Sequence, residues 1–272
     1  MTVRADDARF TGSISELYES ELVPLLFAPY AEDVVDRLSA NGLTRVLEVA
    51  AGTGVVTRAL ASALPASVTI VATDLNQTML DTAAAAGTSR PVEWRRADAM
   101  DLPFEDECFD AVVCQFGAMF FPEKPRAFGE MRRVLRPGGT LIFSVWDRIE
   151  QNEFADVIGE SLRTVFPDDP PLFMHRTPHG YFDRATIEND LARAGFGAPP
   201  RLDTVAKKSR AASARVVAVA YCQGTPWRNE IEARDTSGLR RATDAATTAI
   251  ARRFGHGPVE GKIQAHVVTV VK

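Results

Sequence analysis

The stretch that decides the fold is "VLEVAAGTGVVTRAL", residues 46–60. It opens with a short apolar run around one acid, Glu48, and passes through a turn of small residues into a helix. The apolar positions of that helix follow helical spacing: Val55, Val56, Ala59, Leu60 and Ala63. A glycine turn between a first strand and its helix, at the carboxyl edge of a parallel sheet, is a nucleotide-type site. The stretch therefore predicts an α/β fold with a ligand at this turn.

Strand and helix signals alternate on both sides of the turn. Helices are expected from Val55, over 77–86 and from Pro125, with Asn76 as an N-cap and Gly87 at C′. The "RPGG" run, 136–139, is expected to stop the third helix. Parallel strands need crossover connections, so the pattern predicts a doubly wound, mostly parallel sheet with helices on both faces. The predicted strands are 45–50, 68–74, 92–98, 111–117 and 140–147.

The flanking segments interrupt this alternation. Residues 13–40 are predicted to form two helices, and 148–183 to form a helix at 152–166 followed by a Pro-rich loop. Long loops inside a compact domain often carry function. We expect one domain over 1–272, made of an N-terminal helical lid (1–40), a ligand-binding core (41–147), a covering insertion (148–183) and the C-terminal part of the core (184–272). The last part holds predicted helices at 184–196, 211–222 and 238–254 and predicted strands at 201–209 and 263–271.

Composition and charge exclude several classes of protein. The chain has 272 residues, 25% of them charged, and a formal net charge of −5, so electrostatics do not favour nucleic acid or an anionic membrane. No uncharged run reaches the ~20 residues of a membrane helix, and "MTVRADDARF" lacks the apolar core of a signal peptide. Cys108, Cys114 and Cys222 are too scattered for a disulfide framework or a zinc site. These observations predict a cytoplasmic protein without membrane insertion or a metal site.

Two ligand classes compete for the glycine turn. A dinucleotide turn reads G-x-G-x-x-G, but here Gly52 and Gly54 are followed by Thr57 at the third position. Glu48 would also repel a pyrophosphate, whereas it favours a cation. S-adenosylmethionine (SAM) carries an ammonium and a sulfonium and has no phosphate, so SAM fits better than NAD. Asp74 lies 20 residues beyond Gly54 and can accept both ribose hydroxyls, which either ligand requires. Asp98 could accept from the adenine amino group.

Four blocks in order resemble the Rossmann-like SAM-dependent methyltransferases, and in particular the branch with the ubiquinone and menaquinone C-methyltransferases. They are "VLEVAAGTG", "VATDLNQTML", "RADAMDLPFEDECFDAVVCQFGAMFF" and "EMRRVLRPGGTLIFSVWD". The resemblance implies a seven-stranded sheet whose last strand is antiparallel, with 201–209 and 263–271 as the two late strands. Ala50 stands where the family has a glycine. The resemblance implies these cofactor-binding residues: Glu48, Ala50, Gly52, Thr53, Gly54, Asp74, Leu75, Met79, Asp98, Ala99, Met100, Gln115 and Phe116.

The acceptor of the methyl group is less defined than the cofactor. The sulfonium is already activated, so the protein mainly positions a small-molecule acceptor and excludes water. Tyr18, His175 and His179 are candidates for a base, although a histidine in a Pro-rich loop is commonly a surface residue. Two alternatives stay open: an NAD-dependent oxidoreductase, and a methyltransferase-like protein that binds SAM without transferring it.

Overall fold

The computed structural model of the chain describes residues 16–38 and 42–272. The parts of the predicted lid at 1–15 and 39–40 lie outside the described residues.

Seven strands form one sheet in the order β3-β2-β1-β4-β5-β7-β6. The β1–β2, β1–β4, β2–β3 and β4–β5 pairs are parallel, and β5 pairs with β7 antiparallel. The predicted fold class is therefore confirmed. The strands are β1 (Arg45–Val49), β2 (Thr69–Asp74), β3 (Glu93–Arg96), β4 (Phe109–Gln115), β5 (Leu135–Trp146), β6 (Arg201–Ala211) and β7 (Val259–Val271).

Helices lie on both sides of this sheet, and the central strands are apolar throughout because both faces are covered. Val46 and Leu47 of β1 and Val112 and Val113 of β4 are fully buried. The α-helices are α1 (Ala28–Asp36), α2 (Val55–Ala63), α3 (Gln77–Ala86), α4 (Lys124–Val134), α5 (Glu153–Val165), α6 (Phe173–Arg176), α7 (Arg184–Arg193), α8 (Ala214–Gln223), α9 (Trp227–Arg234) and α10 (Gly238–Phe254).

The structure corrects the sequence prediction at the N-terminal flank. Two separate helices were expected in 13–40, but a π-helix at Tyr18–Phe27 runs directly into α1. Pro24 lies inside the π-helix and has no backbone N–H to donate. Sequence periodicity does not detect such a helix, since π-helical spacing differs from the 3.6-residue repeat.

A second correction concerns "RPGG". It lies inside β5, which starts at Leu135 directly after α4 rather than at 140. Lys272 holds this part of the strand, because Gly138 N donates to Lys272 O and Lys272 N donates to Gly139 O, at 3.1 and 2.9 Å. Long-range pairing therefore extends the strand through residues that alone favour a turn.

Smaller corrections concern the ends of other elements. Asn76 occupies the N-cap position of α3 without a side-chain capping hydrogen bond, whereas Gly87 ends α3 as predicted, with φ +75°. β4 ends at Gln115 rather than 117, because Phe116 has a left-handed backbone. The short helices α6 and α9 fall in segments that the sequence left as loop.

The chain divides into two compact units. We call residues 16–29, 147–180 and 206–264 the helical unit, because α5, α6, α8, α9 and α10 belong to it. We call residues 30–38, 42–146, 181–205 and 265–272 the sheet unit, because β1 to β5 belong to it. Among the described residues, no helix combines the length and the apolar character needed to cross a membrane.

Candidate cofactor site

The turn after β1 has a left-handed backbone at every second residue. Ala50, Gly52 and Gly54 have φ of 57°, 56° and 83°. Gly54 starts α2, and a Cβ at this position would lie 3.0 Å from the Trp94 ring and 3.1 Å from Ala83. This close approach requires glycine and brings the start of α2 against β3 and α3. The turn thus has a fixed geometry at the carboxyl edge of the sheet, as the sequence predicts for a nucleotide-type site.

Glu48 is buried in β1, with 2% of its surface exposed. The Thr57 hydroxyl, on the first turns of α2, donates to Glu48 Oε2 at 2.5 Å. Burial raises the pKa of Glu48 to about 8; the Thr57 hydrogen bond and the Arg58 charge oppose the rise, and the Asp74 charge adds to it. The predicted buried acid is therefore present, and at neutral pH it is mostly protonated when no cation is near.

Asp74 closes the same site from the end of β2. Its Oδ2 accepts from Gly52 N at 2.9 Å and its Oδ1 accepts from Asn76 N at 2.8 Å. Burial raises the pKa of Asp74 and these backbone N–H groups lower it. The structure thus brings together the two acids that the sequence assigned to the cofactor, and Asp74 fixes the turn after β1 through a hydrogen bond.

One large apolar side chain is exposed on the predicted adenine side of the site. Leu75 follows Asp74 and is 50% exposed, the more exposed of the two large apolar side chains that lie at the surface of the described chain. Met79 and Ala99 are buried. Asp98 is half-buried, and its Oδ1 accepts from Met100 N at 2.9 Å, so one carboxylate oxygen orders the loop itself. An adenine contact by Asp98 stays a prediction.

The segment after β4 is held by aromatic stacking. Phe116 has a φ of 53°, and its ring stacks on Trp146 with centroids 3.8 Å apart and an angle of 5°. Tyr30 from α1 packs edge-on against both rings. The Phe116 N–H donates to Ser144 O at 3.0 Å, so this donor is used within the sheet. Gln115 ends β4 beside this stack.

Two features of this site fit SAM. Thr53, in the middle of the glycine turn, is buried, and its hydroxyl has no hydrogen-bond partner among the described residues. A buried polar atom of this kind needs a partner, which a polar ligand group supplies. Glu48 is the second feature, because it forms no ion pair within the described chain and would gain one from a cation. The residues present therefore fit a cationic, phosphate-free nucleoside ligand.

The sequence missed the residue that holds Glu48. Thr57 entered only as the residue that breaks the dinucleotide pattern. Its signal was its place on the first turns of a helix that follows a buried strand acid, but the side-chain pairing depends on how α2 packs on β1.

The candidate bases Tyr18, His175 and His179 belong to the helical unit. Tyr18 is half-buried and stacks on Phe27 with centroids 4.9 Å apart. The expectation that both histidines are surface loop residues is wrong. His179 is 4% exposed, its Nδ1 lies 2.8 Å from Asp147 O, and burial lowers its pKa to about 4.

His175 lies in α6 and is half-buried. Burial also lowers its pKa. Proline content predicts an irregular chain but not where tertiary packing covers it, which explains the error on both histidines. Within the described ranges, no group of three or more His, Cys, Asp or Glu side chains could hold a metal ion.

Comparison with known proteins identifies the family. Residues 47–143 match the family described as "Methyltransferase domain". The demethylmenaquinone methyltransferase of Clavibacter sepedonicus is 42% identical over 163 residues, which are 56% of this chain and 65% of that protein. The enzyme of the same name from Mycobacterium marinum is 34% identical over 57% of this chain and 68% of its own length. The first relatives are thus matched over about 60–65% of their length.

The fold comparison agrees with the sequence comparison. The crystal structure of a putative methyltransferase from Bacillus halodurans aligns with a TM-score of 0.57 at 21% identity, over 89% of this chain and 98% of that one. At this identity the likeness shows the fold alone. The fold and site define a Rossmann-like nucleoside-binding protein of the methyltransferase class. The chain belongs to the SAM-dependent methyltransferase family, near the ubiquinone/menaquinone C-methyltransferase branch. This confirms the predicted family and its cofactor, SAM, and does not favour the NAD alternative.

Proposed function

We propose that this protein transfers a methyl group from SAM to a small-molecule acceptor. The observation that carries the proposal is the joint placement of Glu48 and Asp74 at one glycine turn, where Asp74 accepts from Gly52 N. This arrangement offers an acceptor for ribose hydroxyls and a buried acid for a cation. A pyrophosphate at this turn would meet Glu48, which opposes NAD binding, whereas Asp74 suits the ribose of either ligand.

The residues of the chain bind and orient, and they need supply little covalent chemistry. When bound, SAM supplies a methyl group already activated by its sulfonium. Asp74 would hold the ribose, Leu75 would cover the adenine face and Glu48 would face the methionine end. Orientation of this kind contributes roughly 7–11 kcal/mol to lowering a barrier, whereas a general base adds about 10²–10⁴-fold.

The binding test is calorimetric titration of the protein with S-adenosylhomocysteine (SAH) and, separately, with NAD. We expect saturable binding of SAH and none of NAD. Saturable binding of NAD without SAH binding would overturn the proposal.

Catalysis needs a separate test, because a protein can bind SAM without transferring its methyl group. The purified protein is incubated with methyl-labelled SAM and a panel of small acceptors. The panel includes demethylated naphthoquinones, since two relatives are named demethylmenaquinone methyltransferases. We expect label to reach one acceptor class. SAH binding without any label transfer across the panel would support the non-catalytic alternative.

No single base is indispensable in this proposal. We expect His175→Ala and His179→Ala to lower turnover by less than about 10²-fold, below the upper range for general acid–base catalysis. A chelator should leave turnover unchanged. A loss above ~10⁴-fold with normal SAH binding would make that histidine a catalytic acid or base. Activity lost in a chelator and restored by a divalent ion would contradict the metal-free part.

We also propose that residues 13–40 and 148–183 act as a lid for the acceptor. Lids close on a ligand and exclude water. Hydrogen exchange in both segments should then slow when SAH is added. Protection confined to 46–116 would contradict a lid.

The net charge of −5 supports an acceptor other than nucleic acid, and the composition supports a cytoplasmic location.

A further inference from the structure

We infer that Thr57 is a positioning residue that tunes Glu48, so that the protein binds the cationic end of its cofactor with release of a proton from Glu48. This inference rests on the proposed function. It extends that function to a residue and a proton that the methyl-transfer proposal does not itself require.

The first step is the isolation of the Glu48 carboxyl group. Among the described residues, the one hydrogen bond to this carboxyl group comes from the Thr57 hydroxyl, and both side chains are almost completely buried. The distance between Thr57 Oγ1 and Glu48 Oε2 is 2.5 Å. Thr57 Oγ1 thus fixes Oε2 and leaves Oε1 for a ligand.

The second step concerns the charged and titratable groups that face Glu48. They are Arg58 on α2, Asp74 on β2 and the Cys114 thiol on β4. Arg58 donates to Thr53 O, so its guanidinium is committed to the turn. None of them forms an ion pair with Glu48 in the described chain. Burial therefore dominates, and the pKa of Glu48 rises to about 8.

The third step is the effect of a cation. A positive charge beside a buried carboxyl group favours its ionised form. Binding of a cation at neutral pH must therefore expel the Glu48 proton. The Thr57 hydroxyl lowers the pKa of Glu48, so less binding free energy is needed to remove the proton. Thr57 in this way raises cofactor affinity without touching the cofactor.

The chain supplies a matched control in Thr73 on β2. Its hydroxyl is also buried and donates to the same residue, but to the backbone oxygen of Glu48, at 2.9 Å. Thr73→Val and Thr57→Val each remove one buried hydrogen bond. Only the second removes a bond to the carboxyl group.

The experiment is calorimetric titration with SAH at about pH 6.5 in buffers of different ionisation enthalpy, which counts the protons released. At this pH the α-amino group of SAH, whose ordinary pKa is near 8, is already protonated and takes up no proton when it pairs with a carboxylate. Glu48→Gln serves as the baseline, because it lacks the Glu48 proton. 5′-Methylthioadenosine, which carries no cation, is titrated in parallel.

Relative to Glu48→Gln, the wild type should release about one proton at pH 6.5, since the pKa of Glu48 is about 8. Thr57→Val should release the same proton but bind SAH about tenfold more weakly, the change that one pKa unit produces, while it binds 5′-methylthioadenosine as the wild type does. Thr57→Ser and Thr73→Val should both behave as the wild type. 5′-Methylthioadenosine should release no proton from any form.

Three results would overturn the inference: equal proton release by the wild type and Glu48→Gln, equal SAH affinity of Thr57→Val and the wild type, or a Thr73→Val profile that matches Thr57→Val. Circular dichroism confirms that each variant is folded. If Thr57→Val does not fold, the comparison of the wild type with Glu48→Gln still decides the proton release, and Thr57→Ala takes the place of Thr57→Val as the variant without the hydroxyl. Failure of the wild type to bind SAH would instead refute the proposed function.

Discussion

The sheet unit and the helical unit differ in where the backbone is strained. Three described non-glycine residues have a left-handed φ, and all three belong to the sheet unit: Ala50, Glu107 and Phe116. Two of them are predicted cofactor positions. In the described part of the helical unit, a left-handed φ occurs only at Gly255, directly after α10. Strain of this kind persists where the surroundings impose it, and it clusters at ligand sites. The comparison supports the sheet unit as the one built around the cofactor.

The units also bury ionisable groups of opposite kind. Burial raises the pKa of Glu48, in the sheet unit, to about 8 and lowers the pKa of His179, in the helical unit, to about 4. Both side chains are therefore mostly uncharged at neutral pH. Glu48 accepts from a hydroxyl that favours its ionised form, whereas His179 Nδ1 faces the backbone oxygen of Asp147. Only the buried acid is arranged to gain a charge when a cation binds.

The largest expected effect is a loss of SAH affinity, which should occur in a variant of the sheet unit and not in a variant of the helical unit. Asp74→Ala removes the proposed acceptor for the ribose, which is also the acceptor that holds Gly52 N. We expect SAH affinity to fall by about 1.5–3 kcal/mol, the range for a hydrogen bond to a charged group. Calorimetric titration measures it, with His175→Ala in the helical unit as the control, which should bind SAH normally. Equal affinity of Asp74→Ala and the wild type would refute the ribose role.

The same contrast explains what the sequence could predict. Glu48 and Asp74 were predictable because each ends or nearly ends an apolar β-branched run, and parallel strands bring such ends to one edge. Asn76 lies at the predicted N-cap position, but its side chain makes no capping hydrogen bond, and its own N–H donates to the Asp74 carboxylate. The burial of His179 and the length of β5 were missed because both depend on contacts between segments distant in sequence.

A smaller effect tests the buried groups through the pH dependence of stability. The contribution of Glu48 to the free energy of unfolding is complete below pH 4.5, the ordinary pKa of a glutamate, and is lost as the pH rises to about 8. The contribution of His179 is complete above pH 6.5, the ordinary pKa of a histidine, and is lost as the pH falls to about 4. For each group the free energy of unfolding changes by at most about 1.4 kcal/mol per pH unit. Urea denaturation from pH 4 to 8 measures both contributions.

The two variants should therefore change stability with opposite signs of slope. The free energy of unfolding of the wild type relative to Glu48→Gln should decrease as the pH rises. Relative to His179→Gln it should increase between about pH 4 and 6.5. If both differences stay constant with pH, neither group is shifted by burial, and the electrostatic contrast between the units is refuted.

The smallest expected effect tests the backbone strain at the glycine turn. Ala50 has a φ of 57°, and a left-handed backbone destabilises an L-residue by about 1–2 kcal/mol. Ala50→Gly relieves this strain but adds freedom to the unfolded chain, worth about 0.4–1 kcal/mol. We expect a net gain in the free energy of unfolding of up to about 1.5 kcal/mol. The neighbouring Ala51→Gly and Ala218→Gly in α8 relieve no such strain, so both should lose about 0.5–1 kcal/mol.

Urea denaturation without ligand compares the three variants. If Ala50→Gly is destabilised as much as the other two, the left-handed backbone at Ala50 stores no strain and the contrast between the units fails at this turn.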